Sequence, residues 1–263
     1  MAFDIPVARS IAERFDAWVA ELAAPHLPAV RVEEGGGQFH WEFKGRDAGI
    51  VQIAKAVRMV SGFRAALRLA DMGYSPEAAS ILRMVSDYHN EIIALTEGMG
   101  EGRFTASQQK FIDQFFAPLP TTPEEFEKEE RERYVSREEL FAAQRRLTEK
   151  AKIDTDEHSR LFRFLNKGYD TYVHGGYLTA MELYRGDTHR FMLAGNKFAR
   201  GRCVALVAVA GKLHEVVVAL ELMAMVRGFD RLRDEIRAQR KRFEASTEQS
   251  MAPCYDIDGR AAI

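Results

Sequence analysis

The stretch SPEAASILRMVSDYHNEIIALTEG, residues 75–98, decides the fold. Ser75 followed by Pro76 and Glu77 is a helix start: a cap, a proline at the first helical position, and an acid in the first turn. Ile81, Val85, Ile92 and Leu95 recur at helical spacing and give the helix one apolar side. Glycines from Gly98 to Gly102 end it.

The same periodicity extends outward in both directions. Upstream, Ile50, Ile53, Val57 and Val60 predict a helix from Ala48 to Asp71, stopped at Gly73. Ile11, Phe15, Trp18 and Leu22 predict an earlier helix, closed by Pro25 and Pro28. Downstream, Phe111, Ile112, Phe115 and Phe116 mark a short aromatic helix, and Pro118, Pro120 and Pro123 a stiff connector. A mixed-charge run from Glu124 to Arg133 follows. Ser136 to Glu139 reads as a capping box opening a helix to about Lys150. Residues 124–152 therefore read as an exposed helical excursion, either an arm for a protein partner or a solvated face.

Asp154 or Thr155 caps the next helix, which carries residues 163–174. Helix-like composition continues from Tyr177 to Tyr184 and breaks at Gly186. Asn196 caps a long core helix reaching about Arg227, and Asp230 to Ala245 forms a polar final helix. Residues 247–263 read as a poorly ordered tail. Only residues 29–49 look β-like: Phe39, Trp41 and Phe43 alternate with polar neighbours, and Gly35, Gly36 and Gly37 can turn the chain. A small hairpin over residues 30–44 and an ordered loop both fit. The expected fold is all-α, a bundle of about eight helices forming one domain over residues 1–246.

Composition limits the function classes. The 263 residues suffice for a substantial core. A net charge of -2 excludes a globally basic nucleic-acid binder but permits a local patch. Two distant cysteines, Cys203 and Cys254, build neither a disulfide framework nor a metal site and suit a reducing cytoplasm. The N-terminus has no uninterrupted apolar run, so no signal peptide is expected. Lys212, His214, Glu215 and Glu221 interrupt the most apolar stretch, Cys203 to Val226, which argues against a membrane span. There is no Walker loop, dinucleotide fingerprint, zincin motif or Gly-x-Ser-x-Gly, and no cofactor or metal is expected. Without a Glu-x-x-His pair, a carboxylate-bridged metal centre is rejected.

Several constellations remain. Arg163, Lys167, Asp170 and His174 are spaced by four, three and four, so they share one helical stripe. Leu161, Leu165, Tyr169 and Tyr172 lie on the core side. His174 falls in the last turn, with Gly175 in the left-handed capping position. The helix end favours its imidazolium, whereas Lys167 and Arg163 oppose it, which suits acid–base chemistry near neutrality. The plainer alternative is a histidine capping exposed carbonyls. Arg83, Asp87 and Glu91 form an ion ladder on one face, with Tyr88 and His89 near the apolar side. In the core helix, Lys212 and Glu215 are neighbours and must pair or reach solvent. The arginines of the final helix could touch phosphates, although Asp230, Asp234 and Glu235 dilute them.

Two segments carry a resemblance. Residues 78–87, AASILRMVSD, and residues 169–175, YDTYVHG, resemble elements of a bacterial all-helical group that is similar in turn to HEPN domains. The resemblance covers the middle and C-terminal parts of the chain through two short motifs. It implies a dimerising helical bundle, and often metal-independent RNA cleavage in toxin or anti-phage defence systems, or else binding of nucleotides or partners. The family motif is an arginine, four to six residues, then a histidine. His174 matches the histidine. Arg163 stands too far upstream, and Lys167, with six residues between it and His174, lacks the planar fork of arginine. The resemblance implies His174 as acid or base, Lys167 or Arg83 at the phosphate, and Asp87 and Tyr169 as orienting groups. A homodimer, RNA or a nucleotide as ligand, and a protein partner at residues 124–152 complete the expectation. The alternative is a non-catalytic partner-binding or oligomerisation module.

Overall fold

The computed structural model describes residues 5–35, 38–117, 122–125, 127, 135, 137–150, 160, 167–174, 177–181, 183–195 and 200–249. It is a mostly all-α helical bundle with two small antiparallel strand pairs. Helices α1 (Ile5–Ala12) and α2 (Phe15–Ala23) lead into the hairpin of β1 (Val30–Gly35) and β2 (Gln38–Glu42). Two long helices follow, α3 (Ala48–Met72) and α4 (Ser75–Gly100), then α5 (Ala106–Phe115) and α6 (Arg137–Lys150). A helical segment at residues 167–173 precedes α7 (Tyr177–Met181) and the short pair β3 (Tyr184–Arg185) and β4 (Arg190–Phe191). The chain closes with α8 (Arg200–Val226) and α9 (Asp230–Gln249).

The centre of the bundle is α3, α4 and α8, packed on one another, with α9 folded back on α8 and α1 and α2 closing one side. The joint between α3 and α4 follows from its sequence. Asp47 starts α3 by accepting a hydrogen bond from the Ile50 amide. Gly73 ends it in the left-handed region, at φ 86°, and Tyr74 N–H bonds back to the Leu69 carbonyl. With Pro76 in its first turn, α4 restarts at once in the reverse direction. Gly195 (φ 89°) is a second required glycine: a Cβ there would stand 2.4 Å from the Met72 carbonyl oxygen, where the chain after β4 crosses the end of α3.

Most of the apolar residues that mark the helices form the core, but Val57 of α3 (47%) and Phe115 of α5 (37%) are exposed. Ile11, Phe15, Trp18, Ile53, Leu82, Val85, Ile92, Leu213, Val216 and Leu220 all lie in one buried cluster. Three local expectations change. The predicted N-terminal helix is two helices, with a turn at Glu13 and Arg14, although its apolar stripe stays buried. Ser75 does not cap α4: the N-cap position is Tyr74 and no side chain bonds there. Of the expected helical stretch Tyr177 to Tyr184, the helix covers Tyr177–Met181 and Tyr184 is in β3, paired with Phe191. The Ser136 capping box, Asp154, Thr155, Leu161, Arg163, Leu165, Gly175, Asn196 and residues 250–263 lie outside the described residues; α9 itself runs to Gln249. No described helix is long and apolar enough to cross a membrane.

Candidate functional site

The site grows from the middle of α4. Arg83 leaves the helix on its buried side and is 4% exposed. Its Nη1 donates to Asp87 Oδ1 at 2.5 Å, one turn along. Its Nε donates to Asp170 Oδ1 at 2.7 Å, on the 167–173 segment. Burial works against the guanidinium, but the hydrogen bonds to Asp170 and Asp87 outweigh it and hold its pKa above the ordinary value. Arg83 thus ties the segment carrying His174 to the bundle.

One turn further, the α4 seam with α8 is polar as well. Lys212, 3% exposed, donates from Nζ to Ser86 Oγ at 2.6 Å and to Glu215 Oε1 at 2.5 Å. Ser86 Oγ donates to Glu215 Oε2 at 3.1 Å. His89 Nδ1 lies 2.8 Å from the Glu215 carbonyl oxygen, a bond that the ring makes as a donor. Tyr169 covers this cluster, its ring 4.8 Å from Lys212 Nζ. Burial and the Glu215 carboxylate both push the Tyr169 phenol upward, so it stays protonated at neutral pH. Burial pushes Glu215 up too, but Lys212, His89 and the hydrogen bonds from Lys212 and Ser86 prevail and keep it below its ordinary value. Burial lowers the His89 pKa.

His174 follows directly. Its amide bonds to the Asp170 carbonyl at 3.0 Å, which places it one turn beyond the carboxylate that Arg83 holds. The ring is exposed, and so is Lys167 at the other end of the segment. The structure therefore brings Arg83, Asp87, Asp170 and Tyr169 together around the seam and sets His174 and Lys167 at its solvent edge. It does not leave Arg83 free, since two carboxylates neutralise it.

Other charged groups of the sequence reading are tied into the scaffold. Glu91 pairs with Lys55 at 2.8 Å, and Lys55 Nζ sits about equally far from the rings of Tyr88, Phe111 and Phe115. Glu221 is gripped by Arg237 and Arg240, each at 2.7 Å, so the basic face of α9 is partly spent inside the fold. His214 points away from the seam and meets Glu244. Helix α6 packs on α4 through Arg146, which chelates the buried Glu97 at 2.7 and 3.0 Å, while Glu138, Arg145 and Glu149 of α6 are exposed and Glu139 accepts from Ser107 Oγ of α5 at 2.7 Å.

Ser86 and the contact of Tyr169 with Lys212 were not foreseen. Their signal was a small hydroxyl three residues after Arg83, at helical spacing toward the same side. Among the described residues, no cluster of three or more His, Cys, Asp and Glu side chains could hold a metal ion. No family model, no curated protein and no solved structure matches this chain.

Proposed function

We propose that the protein acts on RNA at the His174 edge, as a metal-independent ribonuclease of HEPN type. The observation that carries this reading is the Arg83–Asp170 ion pair, which fixes the exposed histidine one turn away against a rigid, buried seam. His174 takes the proton of a ribose 2′-hydroxyl, and the 2′-oxygen attacks the adjacent phosphorus. The bond to the 5′-oxygen breaks and that oxygen takes up a proton, which leaves a 2′,3′-cyclic phosphate and a 5′-hydroxyl. Lys167, exposed on the same segment, meets the phosphate charge. Arg83, Asp87 and Tyr169 are positioning residues, acting through Asp170 and the packing of the segment.

The test is cleavage of single-stranded RNA by the purified protein in EDTA. His174→Ala should abolish cutting while the melting transition is kept, and Lys167→Ala should weaken it. Cleavage that survives in His174→Ala defeats the assignment.

A second reading has its own observation. Arg83 is spent on two carboxylates, which removes the guanidinium that the family motif would use. The alternative is therefore a non-catalytic module, with the outward charges of α6 as its contact surface for a protein partner. RNA retained in a binding assay but never cut, or a partner lost on reversing Glu138 and Glu139, distinguishes the two forms of that reading.

A further inference from the structure

The β1–β2 hairpin carries large aromatic side chains that stand in water, Phe39 and Trp41. Among the described residues its strands pair only with each other, so each keeps one edge without a strand partner there. Trp41 is 64% exposed and packs edge-on against Phe39 at 6.1 Å. Arg31 lies opposite Trp41, and Glu33 lies opposite Phe39. All four therefore share one face, with Arg31 stacked 3.9 Å above the Phe39 ring and bonded to Glu33 at 2.9 Å. Two isolated strands are marginal in water, and an open edge is a template for further pairing.

The edge of β1 has a self-complementary pattern. Antiparallel pairing with a second β1, centred on Val32, sets Val32 against Val32 of the other copy. It also sets each Arg31 against the other copy's Glu33, so two ion pairs form across one two-fold axis. The Arg31–Glu33 contact within one strand becomes a contact between strands. The shared face widens to four strands, with Arg31 and Glu33 of both copies in the middle and the Phe39 and Trp41 rings on the two outer strands. We infer that the β1 edge joins two copies of this chain into a four-stranded antiparallel sheet with the order β2-β1-β1-β2. Nucleic acid is the weaker occupant, because the charges flanking the rings are a matched pair and not a basic patch.

The test is sedimentation of the full chain with charge variants. Wild type should dimerise. Arg31→Glu and Glu33→Arg each set like charges across the axis, and each should weaken the dimer at least about tenfold, the equivalent of 1.4 kcal/mol. The double variant R31E/E33R restores both pairs and should regain the dimer. In a background with Cys203→Ser and Cys254→Ser, Val32→Cys should cross-link on oxidation and Val30→Cys should not. A monomeric wild type, a double variant no better than the singles, or no cross-link at position 32 overturns the inference.

Discussion

An arginine withdrawn from water sits at the middle of α4 and another lies beside its far end, and the fold treats the two differently. In the middle, Arg83 meets two carboxylates, and Lys212 meets Glu215 and Ser86. At the far end, Arg227 closes α8 beside the last turn of α4 in a pocket of about 400 Å³ that also includes Asp47, Gly98 and Phe104. Its Nη2 donates to His26 Nε2 at 2.6 Å, and its buried Nη1 has no acceptor among the described residues. Asp47 attracts it but spends its own Oδ1 on capping α3. Burial lowers the Arg227 pKa, whereas carboxylates keep that of Arg83 raised. A buried cation stabilises a seam only where a matched anion answers it.

The most disruptive substitution follows from that rule. Lys212→Met leaves Glu215 ionised against an apolar neighbour and should cost about 3 kcal/mol in urea unfolding. The double variant K212M/E215M removes both charges and should recover much of the loss. A single variant within about 1 kcal/mol of wild type would break the claim that the seam depends on matched charge.

Arg83→Met comes next, at about 2 kcal/mol, because it removes two charge-assisted hydrogen bonds. The carboxylates it releases are 34% and 41% exposed, so water re-solvates them and the loss stays below that of Lys212. Amide exchange at residues 167–174 should rise more than in the rest of the bundle, since Asp170 is the tie of that segment. Uniform exchange across the molecule would count against this tie.

The unequal legibility of these regions has a physical cause. Core faces repeat, so Ile53, Val85 and Leu220 announce their helices and their burial together. The hairpin was visible as alternation at Phe39 and Trp41, but choosing it over a loop needed the Val30–Glu42 register. Lys212 and Glu215 were readable as partners because they lie one turn apart. Ser86 and Tyr169 were not, since their meeting depends on how α4, α8 and the 167–173 segment cross, and helix spacing carries no information about crossing. His174 could be placed on its stripe, while the fate of Arg83 turned on Asp170, a residue 87 positions away.

The pH dependence sharpens the comparison within the seam. His89 titrates below its ordinary value of 6.5, so the unfolded chain binds its proton first. Stability should therefore be full above that value and fall as pH drops below it. Glu215 is also depressed; its contribution holds above its ordinary value of 4.5 and is lost on further acidification. Glu91 is raised by burial and acts in the opposite sense, adding stability in acid and losing it as pH rises. His89→Gln should flatten the first decline and spare the second. An unchanged profile below neutrality would show that another group binds that proton.

Arg227→Met should have the smallest effect, within about 1 kcal/mol of wild type in either direction. It loses one hydrogen bond to a neutral ring and also removes a guanidinium that burial disfavours, so the two changes oppose each other. The measurement is urea unfolding beside Arg83→Met at the same pH and salt. A loss at Arg227 equal to that at Arg83 would mean that the histidine answers the cation as well as two carboxylates do, and the distinction between the two ends of α4 would fail. A gain in stability would mean that the isolated guanidinium is a net burden on the fold.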